Sequence, residues 1–528
     1  MLIAGSGQAA TREASRKVAN ADIEAARAFH EITKHSYTSV RSVPHYLDWK
    51  NRPMAYKIYP AAGALALPRD LTLPAMPTFA ALAGNAPPDP DTPLDDTPLD
   101  LANLTRILFC ADGLTRRQRV GGEDYHFRAA ASAGALYPVE IYLAAGEVEG
   151  LEPGLYHYSP ADLKLRGLRR GDWRGLIARA AASRPSIMEA RAVLIMSAIF
   201  WRSTWKYRAR AFRYCFWDTG TILANLLAAT NAEGIKTEVI TAFEDARLEM
   251  LIGAEGDREG VMCIVALGGY AKPVAASPEP GPLDLETIPL SAEEVIYDDL
   301  VKIQRASRLV SEEEVRSAAS ARLDVSSVPE VADVIRPRTV GIGMGRGLGE
   351  TILTRGSTRV FAHEAIGADE LATIMAASSI HPRADFPRLS DTYLVVNAVD
   401  GMEPGAYYFR RESGAFELIK RGDFRREAGY LALEQPLGAD SSVLICYMAD
   451  LMRVLGAFGN RGYRDAHLEA GILGGRAYLA AYALDRGATG LTFYDDDTTR
   501  FFEPHAAGKS PLLMVAIGVP RSRSTQEE

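Results

Sequence analysis

Pro153-Gly154-Leu155-Tyr156 returns 251 residues later as Pro404-Gly405-Ala406-Tyr407. At the same interval Arg170-Gly171-Asp172 becomes Arg421-Gly422-Asp423, and Arg210, Phe212 and Arg213 become Arg461, Tyr463 and Arg464. Asp218 and Gly220 become Glu469 and Gly471, and Thr241 and Asp245 become Thr492 and Asp496. Residues 139–245 thus align with a second copy without a gap. Solenoid arrays repeat at roughly 20–50 residues, so this interval marks a duplicated domain. The reading is a homodimer whose two subunits were fused into one polypeptide.

Size agrees, because 528 residues exceed what one hydrophobic core usually sustains. With 47% apolar and 24% charged residues, the chain is an ordinary globular one. A net charge of -8 and a pI near 5.7 argue against a nucleic-acid partner held by bulk electrostatics. Cys110, Cys215, Cys263 and Cys446 form no CxxC pair, which fits a reducing, cytoplasmic setting. No apolar run reaches the roughly 18–20 residues of a membrane span, and the start lacks the apolar segment of a signal peptide. No HExxH or paired histidine spacing occurs, so no metal is expected.

Four segments are expected: an N-terminal extension (1–60) packing on the first domain, domain 1 (61–273), a connector (274–335) and domain 2 (336–528). Helices are read at Ala21–Lys34, Leu101–Cys110 and Asp218–Asn231, and strands at Val139–Ala144, Val193–Ala198, Gly260–Leu267 and Leu512–Ile517. The connector opens with SPEPGP, carries one charged helical stretch over Ala292–Leu323, and shows no counterpart in either copy. Alternating strands and helices predict a mixed sheet covered on its faces, α/β or α+β.

The copies differ in complementary ways. Arg355-Gly356-Ser357-Thr358-Arg359 places two guanidinium groups around a hydroxyl, which suits a phosphate. The matching place in the first copy reads Pro88-Asp89-Pro90-Asp91-Thr92, where acid replaces base. Conversely, Ser132-Ala133-Gly134-Ala135-Leu136-Tyr137-Pro138 is a small-residue turn that lets backbone approach a planar ligand. Its second-copy equivalent, Arg383-Ala384-Asp385-Phe386-Pro387-Arg388-Leu389, is bulky and charged. The first copy also holds 16 extra residues near Arg116–Phe127. Lys206-Tyr207 faces Ala457-Phe458 in the repeat, so that pair too is one-sided. Asp495-Asp496-Asp497 reads as the start of a helix, and the alternating glycines from Gly341 to Gly349 miss dinucleotide-binding spacing.

The SAGALYP turn with Glu140 and Tyr142, the Lys206-Tyr207 pair, the run Arg210–Tyr214 and the RGSTR element together resemble the nitroreductase superfamily. Within it they are most similar to the SagB/ThcOx-type azoline dehydrogenases, in a tandem form. The resemblance implies an α+β fold of two fused nitroreductase-like domains, a pseudo-dimer that is itself monomeric or dimerises again. It implies FMN as cofactor, shared between the two halves. Arg355, Ser357 and Arg359 would grip its phosphate, with Arg521 and Arg523 as further basic ligands. Ser132, Ala133 and Gly134 would approach the flavin, and backbone at Thr492-Phe493 would reach its N5. Lys206 and Tyr207 would be catalytic. Arg116, in the insertion, is expected to matter less than Arg355.

The implied activity is hydride transfer from an azoline or similar C–N bond to flavin, on a small-molecule or peptide substrate, with biosynthetic partner proteins. Two alternatives stand beside it: an NAD(P)H-dependent nitro or quinone reductase, and a flavin-free scaffold in a peptide-modifying complex. Membrane and nucleic-acid partners are not expected.

Overall fold

A computed structural model describes residues 19–42, 45–84, 97–120, 123–269, 274–323 and 333–521. Pro88–Thr92 and Arg523 lie outside the described residues. The first sheet is built from β1 (Ala64–Ala66), β2 (Val139–Ala145), β3 (Gly154–Ser159), β4 (Lys164–Arg170), β5 (Ala192–Ile199), β6 (Thr237–Ile240) and β7 (Glu259–Leu267). Its spatial order is β1-β4-β3-β2-β5-β7-β6. The second is built from β8 (Val334–Ile335), β9 (Asp391–Val396), β10 (Gly405–Arg410), β11 (Ala415–Arg421), β12 (Val443–Ala449), β13 (Gly487–Leu491) and β14 (Ser510–Gly518). The order there is β8-β11-β10-β9-β12-β14-β13, the same path walked twice. The 251-residue interval carries on through β7 and β14.

The fold is α+β, but within both large sheets every neighbouring pair is antiparallel, not mixed. The strand–helix–strand alternation does join two like-directed strands, β5 and β6. The later strand β7 inserts between them and pairs antiparallel with both. Central strands β2, β5, β7 and β12 are buried along their whole length, which is why they read as continuous apolar runs.

Four helices carry the site: α1 (Phe200–Tyr207), α2 (Ala211–Ala232), α3 (Leu451–Phe458) and α4 (Arg461–Ala483). Helices α2 and α4 cross at Gly220 and Gly471 with their backbones in contact. A β-carbon on Gly220 would stand 2.5 Å from Gly471 C, and one on Gly471 2.6 Å from Trp217 O. Only glycine permits that approach. Nearly all of α2 is buried, because sheet packs on one side and the sister helix on the other.

The pseudo-twofold axis reaches further than the aligned sequence. Arg210 and Arg213 of the first half bond Asp495 of the second at 2.9 and 2.8 Å. Arg213 also bonds His30 O and Thr33 Oγ1 at the end of the helix Glu24–Ile32. The mirror arrangement has Arg461 and Arg464 on Asp245 at 2.8 and 2.9 Å, so the structural counterpart of Asp245 is Asp495 and not Asp496, one residue off the 251-residue interval. There Arg464 bonds Gln304 O and Ser307 Oγ at the end of the helix Asp298–Ala306. The connector therefore does have a counterpart, the N-terminal extension. Its sequence escaped alignment because the contacts shared by the two clasps are backbone carbonyls and one hydroxyl per helix, while the Gln304 Oε1 that also accepts from Arg464 has no match at His30. The extension also touches both halves and not the first alone: Ala26 N donates to Asn460 Oδ1 and His35 N to Asp495. The charged connector stretch forms two helices, Asp298–Ala306 and Glu312–Ser320, because Ser311 caps the second by accepting from Glu314 N.

Candidate active site

Between the halves lies a cavity of about 410 Å³, bounded by the 131–135 turn, the end of α1, one face of α2, the RGSTR turn, α4 and residues 489–492. Sequence reading placed Ser132, Ala133, Gly134, Lys206, Tyr207, Ser357, Arg359 and Thr492 in a site, and all eight line this one cavity.

The turn owes its shape to α2. Asp218 accepts from Ser132 Oγ at 2.5 Å and Ala133 N at 2.9 Å. Three residues on, Thr221 Oγ1 donates to Ala131 O, and Asn225 Nδ2 donates to Ala129 O. Asp218, Thr221 and Asn225 share one helix face and hold successive backbone groups of the turn. Gly134 then takes φ +65°, and a β-carbon there would lie 2.7 Å from Tyr207 Oη and 3.1 Å from Lys206 Nζ. Glycine is required twice over, for the left-handed backbone and for the two side chains against it. Burial lifts the Asp218 carboxyl to about 7, against the pull of its two donors.

Tyr207 packs edge-on against Tyr214 with centroids 4.6 Å apart, and Tyr214 lies beside Trp217 at the same separation. Burial raises the Tyr207 phenol and keeps it protonated. Burial, with Arg359 and Arg52 nearby, lowers the Lys206 ammonium. The pair therefore offers a neutral hydrogen-bond donor beside an amine that releases its proton more easily than usual. Opposite, Ser357 Oγ lies 3.3 Å from Tyr478 Oη, and Thr492 Oγ1 3.2 Å from Tyr214 Oη.

Three predicted residues stand elsewhere. Arg355 does not line the cavity; its Nε and Nη2 donate to Ala129 O and Arg128 O across the domain boundary, at 2.9 and 2.7 Å. The Phe493 side chain is buried under Arg210, whose guanidinium sits 5.3 Å from its ring, while the role expected of this residue rests on its backbone. Arg521 is exposed, and its backbone N donates to Val360 O. Sequence reading missed Asp218, Tyr214, Trp217, Gln435, Tyr478 and residues 489–491 as lining groups. For Asp218 the signal was present, since Glu469 in the repeat does the same work on Leu389 N and Ser390 Oγ.

The sister position is closed. Asp385, which aligns with Gly134, accepts from Thr241 N, Thr241 Oγ1 and Ala242 N at 2.8, 3.1 and 2.9 Å. Thr241 and Ala242 are the equivalents of Thr492 and Phe493. Beside them Val239 N donates to Arg383 O and Asp385 N to Val239 O. The second-copy turn is thus zipped onto β6, whereas the equivalent of Val239, Gly490, lines the open cavity.

The model of the Nitroreductase family matches residues 93–270 and 352–519, together more than half of the chain and one match per half. The chain belongs to the nitroreductase family. As a nitroreductase-family protein it is an oxidoreductase, and its two matched regions are the two halves of the pseudo-dimer. It is similar to the crystal structure of a candidate nitroreductase from Anabaena variabilis, at 26% identity and a TM-score of 0.75 over 94% of this chain and 99% of that one. It is 32% identical over 156 residues to a Methanocaldococcus jannaschii protein described as a candidate nitroreductase, covering 30% of this chain and 75% of that one. It is also 26% identical over 120 residues to the microcin B17-processing protein McbC of Escherichia coli, 22% of this chain and 44% of McbC. No helix among the described residues is long and apolar enough to cross a membrane.

Proposed function

We propose that the cavity holds one FMN per chain and that the protein is a hydride-transferring flavoenzyme. The observation carrying this reading is the convergence, on one cavity, of the small-residue turn from the first half and Ser357 and Arg359 from the second. The residues present fit the group. Gly134 leaves a shallow cradle beside the cavity, and Arg359 and Lys206 supply positive charge to a ligand bearing a phosphate. When bound, FMN supplies a ring that accepts or returns hydride.

The chain's own residues position and protonate. Asp218 fixes the turn, Trp217 and Tyr214 wall off one side, and Ser357 with Arg359 anchors an anion. Tyr207 donates a hydrogen bond to the substrate atom that gains or loses a proton. Lys206 exchanges that proton, its lowered affinity matching the task.

The relatives described as nitroreductases support a first reading, reduction of nitro or quinone compounds by a reduced nicotinamide. The match to McbC, together with Lys206 and Tyr207 at the cavity, favours a second reading, oxidation of an azoline in a peptide, within a processing complex. Anaerobic mixing separates them. Bleaching of a yellow protein by NADPH supports the reductase, and bleaching only by an azoline peptide supports the dehydrogenase. A colourless protein that takes up no FMN refutes both.

A further inference from the structure

We infer that the second guanidinium of the phosphate grip is Arg116, delivered by the hairpin that only the first copy carries, in place of Arg355. The inference rests on the FMN reading above. The extra residues of the first copy fold into two antiparallel strands, Leu114–Val120 and Glu123–Arg128, with Arg116 opposite Phe127. The exposed Arg116 guanidinium lies over the Phe127 ring, 4.4 Å from its centroid. It stands beside the RGSTR turn, outside the cavity wall itself: Arg116 Nη1 is 3.9 Å from where a β-carbon of Gly356 would stand. Gly356 immediately precedes Ser357, and Arg359 follows two residues later, both on the cavity.

Arg355 explains why this placement is fixed. Its two bonds go to Arg128 O and Ala129 O, the foot of the same hairpin. It is a weld between the turn and the hairpin, at the cost of its own availability to a ligand. Arg116 and Arg359, by contrast, engage no carboxylate or carbonyl among the described residues. A phosphate monoester seated at Ser357 would meet one guanidinium from each half, each able to form charge-assisted bonds.

The test uses the full-length chain stripped of flavin and titrated with FMN and with riboflavin, which lacks the phosphate. The wild type should prefer FMN. Arg116→Ala should cut that preference about 10- to 100-fold while leaving riboflavin affinity and thermal midpoint unchanged, and Arg116→Lys should restore part of it. Arg359→Ala should behave like Arg116→Ala. Arg117→Ala, on the same strand but paired with Asp124, should behave like wild type. Arg355→Ala should weaken both ligands alike. A wild-type FMN preference in Arg116→Ala, with the preference lost in Arg359→Ala or Arg355→Ala, overturns the role of Arg116 and leaves the FMN reading standing. A wild type that binds neither ligand overturns both.

Discussion

Gly220→Ala adds a single methyl group where helix propensity favours alanine by about 1 kcal/mol, yet it should destabilise the protein. The new carbon would lie 2.5 Å from Gly471 C, 2.5 Å from Ile472 N and 2.6 Å from Gly471 Cα, where 3.4–4 Å is ordinary contact. Those are backbone atoms and cannot swing aside, so α2 and α4 must separate by about 1 Å. Overpacking of this kind costs about 3 kcal/mol at the upper end of its usual range, which leaves about 2 kcal/mol after the propensity gain. With about 2.1 cal/mol/K of unfolding entropy per residue, the midpoint should fall by about 2 °C if both halves unfold together. Separation also parts Trp217, Asp218 and Thr221 from Gly474 and Tyr478, opposite walls of the cavity. Differential scanning calorimetry and flavin titration read both effects on one sample. A midpoint that rises, with flavin affinity intact, would refute the close crossing. Gly220→Ala with Gly471→Ala should cost less than the sum, because one displacement relieves both clashes.

Tyr207→Phe keeps the ring against Tyr214 and should fold normally. Its turnover, followed by stopped-flow flavin reduction, should fall about 10²–10⁴-fold. Asp218→Asn removes a group whose folded-state pKa stands near 7, above its ordinary carboxylate value. A raised pKa means that the stability tied to its protonated form is present in acid and lost as pH rises toward 7. The variant should therefore gain stability relative to wild type between pH 5 and pH 8, as read by denaturant titration at the two values. Flavin released from the denatured protein should amount to one equivalent per chain, because Asp385 occupies the amides of the sister site. Two equivalents would contradict the closure.

The duplication, the α+β class and eight of the residues that line the cavity were legible because repeated side chains and one-sided losses leave marks in the sequence. Ser132 to Gly134, Lys206, Tyr207, Ser357 and Arg359 were found by asking which residues one copy kept and the other changed. That comparison failed for Arg355, whose two bonds go to carbonyls, groups every residue carries. It failed likewise for the clasp helices, where His30 O and Gln304 O serve alike despite unlike side chains. Arg116 carries no such mark, because an insertion has no sister to be measured against. Sheet direction was misread because β7 closes its pairing long after the crossover that suggested parallel neighbours.

A homodimer encodes its two interfacial sites with one gene, so a substitution that spoils one site spoils both. Covalent fusion removes that constraint. Here the freed turn has become a strut: Asp385 and its neighbours lace the second half onto the edge of the first half's sheet. With the sister position closed, the remaining cavity can take unlike contributions from its two sides. An aromatic, Lys-bearing wall on one side and a basic turn on the other can then be tuned independently, a freedom that identical subunits do not have.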